Sequence, residues 1–326
     1  MEEPIKKLLE KIAEEYRLFA PQEIEDGFAI AELENLAAWR PSDRQPLFSF
    51  KKFFVPACET LMKYEGAKQE ETANKEKIGL VGLNLLDLKY VLLYDLVFAN
   101  DSNYQQRRQN IFIVAHNQVP PPEENFTHKE FGEEDLMNFS YDVFLVFGKD
   151  SQKDALFVAG SKKGKEVLER CNLEYKDLAW REAHQPQKLE EIPAKIQRRL
   201  MFPHNEKVWE ELNERCLRCG KCTIACPTCF CFRLDDKPEL EKGTGERQRC
   251  WDSCFFDEFH EVTGGHDFNP EIKNRIHFWY YHKFARIPKE FNMTGCVGCK
   301  RCHRVCPAGI DIQEVIKKIL EIDEND

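Results

Sequence analysis

The sequence predicts an α+β protein: a mixed α/β domain over residues 1–200, then a helical, cysteine-rich domain over residues 201–326. Three observations predict it. Apolar runs of strand length alternate with helical patterns as far as residue 160. From 162 to 214 the pattern is helical and charged, without Gly/Ser linkers. Twelve of the fourteen cysteines then fall between Cys216 and Cys306.

Ile5, Leu8, Leu9, Ile12 and Tyr16 recur at helical spacing among Lys and Glu, which predicts an amphipathic first helix. Short apolar runs at 53–55, 78–81, 111–114, 143–146 and 156–158 read as strands. Residues 85–98 read as a helix, and Pro120, Pro121 and Pro122 mark a loop that can continue neither element type. The tail, 311–322, reads as one amphipathic helix with Ile312, Val315, Ile316 and Ile319 on its apolar face.

Composition narrows the function classes. With 42% hydrophobic residues the chain can build a real core, and its 38 aromatics (24 Phe, 9 Tyr, 5 Trp) are far more than a disordered chain carries. Acidic residues outnumber basic ones, 57 to 47, and the net charge of −10 argues against nucleic acid as a partner. The most apolar stretch, 90–99, is broken by Asp95 and is short of the roughly 20 residues a membrane span needs. Met1-Glu2-Glu3-Pro4 has neither a basic nor an apolar export region, so a cytoplasmic protein with no membrane contact is expected. Disulfides are not expected in that compartment; closely spaced cysteines are expected to ligate metal.

Their spacing specifies which metal. Cys216, Cys219, Cys222 and Cys226-Pro227 follow C-x2-C-x2-C-x3-C-P, and Cys296, Cys299, Cys302 and Cys306-Pro307 repeat it. This is the bacterial ferredoxin half-site, in which three thiolates wrap one cubane and the fourth ligates the other cluster. Two 4Fe–4S clusters are therefore expected. Cys216, Cys219, Cys222 and Cys306 hold the first, and Cys296, Cys299, Cys302 and Cys226 the second. Structural zinc is the competing chemistry, but zinc sites need neither a third cysteine in series nor the following proline. The long stretch between the motifs, about 227–295, makes this a ferredoxin-type module with an insertion.

The insertion carries Cys229, Cys231, Cys250 and Cys254, a candidate third iron–sulfur or metal site; four ordinary buried thiols are the alternative. His266, in a Gly-rich turn, is read either as a ligand or as a structural hydrogen-bonder. Cys58 and Cys171 stand alone and are read as buried thiols. Arg218, Lys221, Lys300, Arg301 and Arg304 interleave with the ligands, where positive charge raises a cluster's potential; solvated surface residues are the alternative. Nothing amounts to a catalytic site. Gly160-Ser161-Lys162-Lys163-Gly164-Lys165 is one residue short of a phosphate loop and lacks the Ser/Thr after its lysine, and no dinucleotide fingerprint follows a strand.

Cys-Pro-Thr-Cys-Phe-Cys231, Arg249-Cys-Trp-Asp-Ser-Cys254, Gly264-Gly-His-Asp-Phe268 and Cys-Val-Gly-Cys299 together resemble the beta (iron–sulfur) subunits of cytoplasmic sulfhydrogenases. The corresponding component of anaerobic sulfite reductase belongs to the same family. The stretch 80–114, with Asp87, Asp95, Arg107 and Arg108, is also similar, so the resemblance covers nearly the whole chain. It implies a non-catalytic electron-transfer subunit in a hetero-oligomer. Its implied partners are a flavin/NAD(P)-binding subunit plus a catalytic redox subunit of hydrogenase or sulfite-reductase type. The chain departs from the family where a Cys-Asp pair is usual, having Leu86-Asp87, and in lacking any cysteine at 123–127, so no N-terminal cluster is expected. Two other readings stay open: an iron–sulfur subunit of a bifurcating or formate-oxidising complex, and a structural adaptor whose clusters never change redox state.

Overall fold

Four of the five apolar runs of the N-terminal part become strands of a seven-stranded sheet in the computed structural model, which describes residues 3–25, 27–37, 39–66, 68–71, 76–121, 136–148, 151–178, 194–201, 206–239 and 241–321. The strands are β1 (Arg17–Ile24), β2 (Gly27–Glu32), β3 (Cys58–Glu65), β4 (Lys68–Glu71), β5 (Ile78–Leu83), β6 (Ile111–His116), β7 (Val143–Gly148), β8 (Ser151–Ala159), β9 (Tyr175–Asp177), β10 (Phe232–Glu239) and β11 (Thr244–Trp251). The chain divides into two units, Met1–Phe54 with Ala73–Gln187, and Val55–Thr72 with Lys188–Asp326. The expected boundary at 200 assigns residues 55–72 to the first domain. Their strands β3 and β4 pair instead with the insertion, in the order β10-β11-β3-β4.

The first unit's sheet runs β2-β1-β5-β6-β7-β8-β9, with β1, β5, β6 and β7 parallel to their neighbours in that series. Its central strands β5 and β6 are buried at every position, as strands covered on both faces must be. The helix Glu3–Ala13 contributes Ile5, Leu8, Leu9 and Ile12 to a core with Val81, Phe112, Val114 and Leu145. The helix Leu85–Val97 opens on a capping box. Asn84 Oδ1 accepts from the Leu86 and Asp87 amides at 2.9 and 3.1 Å, and Asp87 Oδ2 accepts from the Asn84 amide at 3.2 Å. Asp87 thus serves the helix end. Asp95 and Arg108 pair at 3.1 Å, and Arg107 donates to the Phe54 carbonyl at 2.8 Å. The singled-out charges of 80–114 have structural work.

Two expectations are corrected here. Residues 53–55 are not a strand: Lys51–Phe54 is a helical turn, begun by Ser49 Oγ accepting from the Lys51 amide, with Phe53 and Phe54 buried among Phe19, Phe50 and Tyr94. The 162–214 stretch is helical at Lys162–Arg170, Ala194–Met201 and Glu206–Arg215, but strand β9 intervenes. Pro122 and the cysteine-free segment 123–127 lie outside the described residues.

The phosphate-loop likeness also has an explanation. Ser161 caps the helix Lys162–Arg170 by accepting from the Gly164 amide at 3.0 Å, and its hydroxyl donates to Asp142 at 2.5 Å. Asp142 also takes the Ile113 amide at 2.7 Å, so a buried carboxylate already occupies the anionic position. A Cβ on Gly164 would lie 1.8 Å from the Asp142 carbonyl oxygen, a close approach only glycine permits. Asp142→Ala strands one buried amide and one hydroxyl, and hydrogen bonds to charged groups contribute roughly 1.5–3 kcal/mol each. It is expected to destabilise the first unit by about 3 kcal/mol in urea titration, and Asp142→Asn by clearly less. Equal midpoints for wild type and Asp142→Ala would count against this role.

Candidate metal centre

The two cysteine motifs fold as the same backbone twice. Each carries its third cysteine on a short helix, Cys222 in Lys221–Ala225 and Cys302 in Arg301–Arg304, and each bends twice through the left-handed region just before it. The residues that bend are Arg218 (φ 54°) and Gly220 (66°) in the first motif, Gly298 (72°) and Lys300 (51°) in the second. The first bend turns an amide onto the first sulfur. The Gly298 amide donates to Cys296 Sγ at 3.4 Å, and the Arg218 amide does the same for Cys216. Gly220 has no substitute, because a Cβ there would lie 2.5 Å from the Phe256 ring.

Cys216, Cys219, Cys222 and Cys306 line one cavity, which Cys302 of the second motif also borders, walled by Phe255, Ile276, Trp279 and Tyr280. The fold therefore carries Cys306 from the second motif to the three cysteines of the first. Two donors on this wall, Tyr280 Oη and Trp279 Nε1, are buried without a hydrogen-bond partner. Unpaired buried donors are costly, and acceptors such as cubane sulfides would relieve both. Burial raises the Cys216 and Cys222 thiols above the ordinary range, and neighbouring sulfurs add to it. Such a set favours thiolate only when a cation supplies the charge, which iron does on binding. Several thiols around one cavity with two unpaired buried donors in its wall are a donor set that fits an iron–sulfur cluster.

The second set is built around Cys226. Burial pushes Cys296 up to about 12 and lifts Cys299 and Cys302, and the negative charge of Cys226 raises all three further. Cys226 itself lies well below the usual thiol range, because the Cys229 thiol donates to it and the Lys283 ammonium stands beside it. Lys283 Nζ donates to Cys226 Sγ at 3.2 Å, to Thr228 Oγ1 at 2.9 Å and to the Gly295 carbonyl at 3.0 Å. Thr228 Oγ1 donates to that same carbonyl at 2.7 Å, so the end of the first motif is tied to the start of the second. Lys283 belongs to a π-helical turn, His282–Arg286, inserted between the helices Ile272–Tyr281 and Ile287–Phe291. The Gly295 amide returns a bond to the Lys283 carbonyl at 2.8 Å, and a Cβ on Gly295 would lie 2.9 Å from Lys283 Cα.

The candidate third site loses a member. Cys250 lies opposite Cys58 in the β11–β3 pairing, and the two form a disulfide. Cys58 is therefore neither alone nor buried, and the expectation of no disulfide fails at this strand pair. Cys229, Cys231 and Cys254 stay near one another: Cys229 donates to Cys226, and Cys254 donates to Cys231, which holds the Cys254 thiol well above its usual range. Cys171 is the buried lone thiol expected, donating to the Lys7 carbonyl at 3.7 Å. His266 is exposed in a two-stranded turn; its neighbour Asp267 carries the contact, accepting from the fully buried Arg275 at 2.7 Å.

Of the interleaved cations, Arg301 is 1% exposed and hydrogen-bonds Cys299, while Arg218, Lys221 and Arg304 are exposed. Sequence reasoning missed Lys283, Thr228, Trp279 and Tyr280. Thr228 sits inside the resembling Cys-Pro-Thr-Cys run, a signal that could have found it; the others carry none.

Residues 215–310 match the family described as 4Fe-4S dicluster domain. Over 325 residues, 95% of this chain and 94% of the relative, the sequence is 28% identical to the sulfhydrogenase 2 subunit beta of Pyrococcus furiosus. No solved structure matches significantly. Among the described residues no helix is long and apolar enough to cross a membrane. The duplicated cysteine backbone thus coincides with the match to a 4Fe–4S dicluster domain, in a chain that is similar over nearly its whole length to a sulfhydrogenase beta subunit.

Proposed function

We propose that this chain relays electrons inside a sulfhydrogenase-type complex, with a flavin/NAD(P)-binding subunit on one side and a catalytic redox subunit on the other. It does so through two 4Fe–4S clusters, one on Cys216, Cys219, Cys222 and Cys306, the other on Cys296, Cys299, Cys302 and Cys226. The observation that carries this reading is that Cys306 and Cys302 of the second motif converge on the cavity of Cys216, Cys219 and Cys222, with Cys306 as the fourth thiolate the motif spacing calls for. Bound cubanes supply one-electron carriage at potentials that ligation, burial and hydrogen bonds to sulfur adjust. The chain's residues hold the thiolates, exclude water with Phe255, Ile276 and Trp279, and direct amides at Cys216, Cys296 and Cys306. The dicluster region, 201–326 with its insertion, is the redox part. The remainder is read as partner-binding and metal-free, since the unit built from 1–54 and 73–187 contains a single cysteine, Cys171.

With Cys250 engaged by Cys58, the set Cys229, Cys231 and Cys254 falls one thiolate short of a cubane's four. Anaerobically purified protein is expected to hold about eight iron atoms. About twelve would reinstate a third cluster. Cys226→Ala is expected to perturb the cluster on Cys296, Cys299 and Cys302 and to leave the other cluster's paramagnetic resonance signal intact. Loss confined to the cluster on Cys216, Cys219 and Cys222 would contradict the crossed ligation.

The relay itself is tested in the assembled complex. Cys299→Ala is expected to slow the physiological reaction by at least tenfold, roughly a 1.4 kcal/mol effect on the combined step, while dye-linked partial reactions persist at either end. A combined rate equal to wild type would favour the adaptor reading, in which the clusters only support the fold.

A further inference from the structure

The two thiol sets differ in the charge buried beside them. Lys283 is 2% exposed, and its three ammonium protons meet Cys226 Sγ, Thr228 Oγ1 and the Gly295 carbonyl at 3.2, 2.9 and 3.0 Å. None of these partners is a carboxylate. Arg301, 1% exposed, adds a second buried cation to the same set through Cys299. The first set's cavity is walled by Phe255, Ile276, Trp279 and Tyr280; the buried Arg275 that donates to the Phe255 carbonyl at 3.2 Å is paired with Asp257 and Asp267, and Lys283 Nζ reaches this wall only at the Trp279 ring, 5.3 Å away. The cations of its own motif, Arg218 and Lys221, are exposed, and Arg218 is paired with Asp257 at 3.7 Å.

A one-electron reduction adds one negative charge to a cluster. Inside a dry site a neighbouring cation lowers the cost of that charge far more than it does in water. A hydrogen bond onto the ligating sulfur acts in the same direction. Lys283 does both at Cys226, and the π-helical turn that presents it is fixed by the Gly295 amide at 2.8 Å. Extra residues of this kind inside helices are frequent at functional sites.

We propose that Lys283, supported by Arg301, holds the cluster on Cys226, Cys296, Cys299 and Cys302 at a higher reduction potential than the cluster on Cys216, Cys219, Cys222 and Cys306. One electron from the donor subunit reduces the latter cluster, which is reoxidised as it passes that electron to the former; the former is reoxidised in turn by the acceptor subunit. The inference rests on the ligand sets of the relay reading and adds its direction.

The test is a potentiometric titration of the full-length protein followed by paramagnetic resonance. In wild type two midpoints are expected, the higher belonging to the signal altered in Cys299→Ser and retained in Cys219→Ser. Lys283→Met is expected to lower that midpoint with the iron content unchanged, and Lys283→Arg to restore most of the shift. The neighbouring midpoint should move less. If Lys283→Met keeps its iron and both midpoints stay at their wild-type values, the inference is overturned. If Lys283→Met fails to load iron, the order of the wild-type midpoints decides: equal or reversed potentials overturn it. Failure of the relay reading looks different, as intact clusters with the expected potentials that carry no current between the partner subunits.

Discussion

The second unit is organised by an electrostatic problem: sulfurs that must ionise are gathered where ionisation is unfavourable. Burial raises the Cys216, Cys222, Cys296, Cys299 and Cys302 thiols, and each ionised neighbour raises the next. The fold answers with positive potential from two sources, left-handed turns that aim amides at sulfur and the buried Lys283 and Arg301. Removing water makes each of these stronger. The same removal makes unpaired polar groups costly, and Tyr280 and Trp279, both of which line the cavity of the first motif, carry two such donors.

The legible part of this site was the local part. Cysteine spacing repeats within a dozen residues, so Cys216–Cys226 and Cys296–Cys306 could be read directly, and the amphipathic stripes of Glu3–Ala13 and Ile312–Glu321 likewise. The strands β5, β6, β7 and β8 were legible because an apolar run bounded by turns has few other uses. The run at 53–55 failed for the converse reason: three apolar residues bury equally well on a helical turn.

What stayed hidden depends on long-range contact. Lys283 sits among aromatics in Tyr-Tyr-His-Lys-Phe and reads as a surface lysine; its partner Cys226 lies 57 residues away. The pairing of Cys58 with Cys250 spans 192 residues and follows from strand register alone. Arg249 and Glu59, joined at 2.6 Å with both side chains under a tenth exposed, seal the same strand pair and gave no sequence signal. Charge run and buried ion pair look alike until the sheet order is known.

The position of Cys306 in the cavity of the first motif has a consequence for biosynthesis. On the proposed ligand set, a ribosome delivers Cys216, Cys219 and Cys222 more than eighty residues before the sulfur that completes their ring. A nascent chain with only the first motif then holds an unfinished set, so loading of that cluster follows synthesis of the second motif.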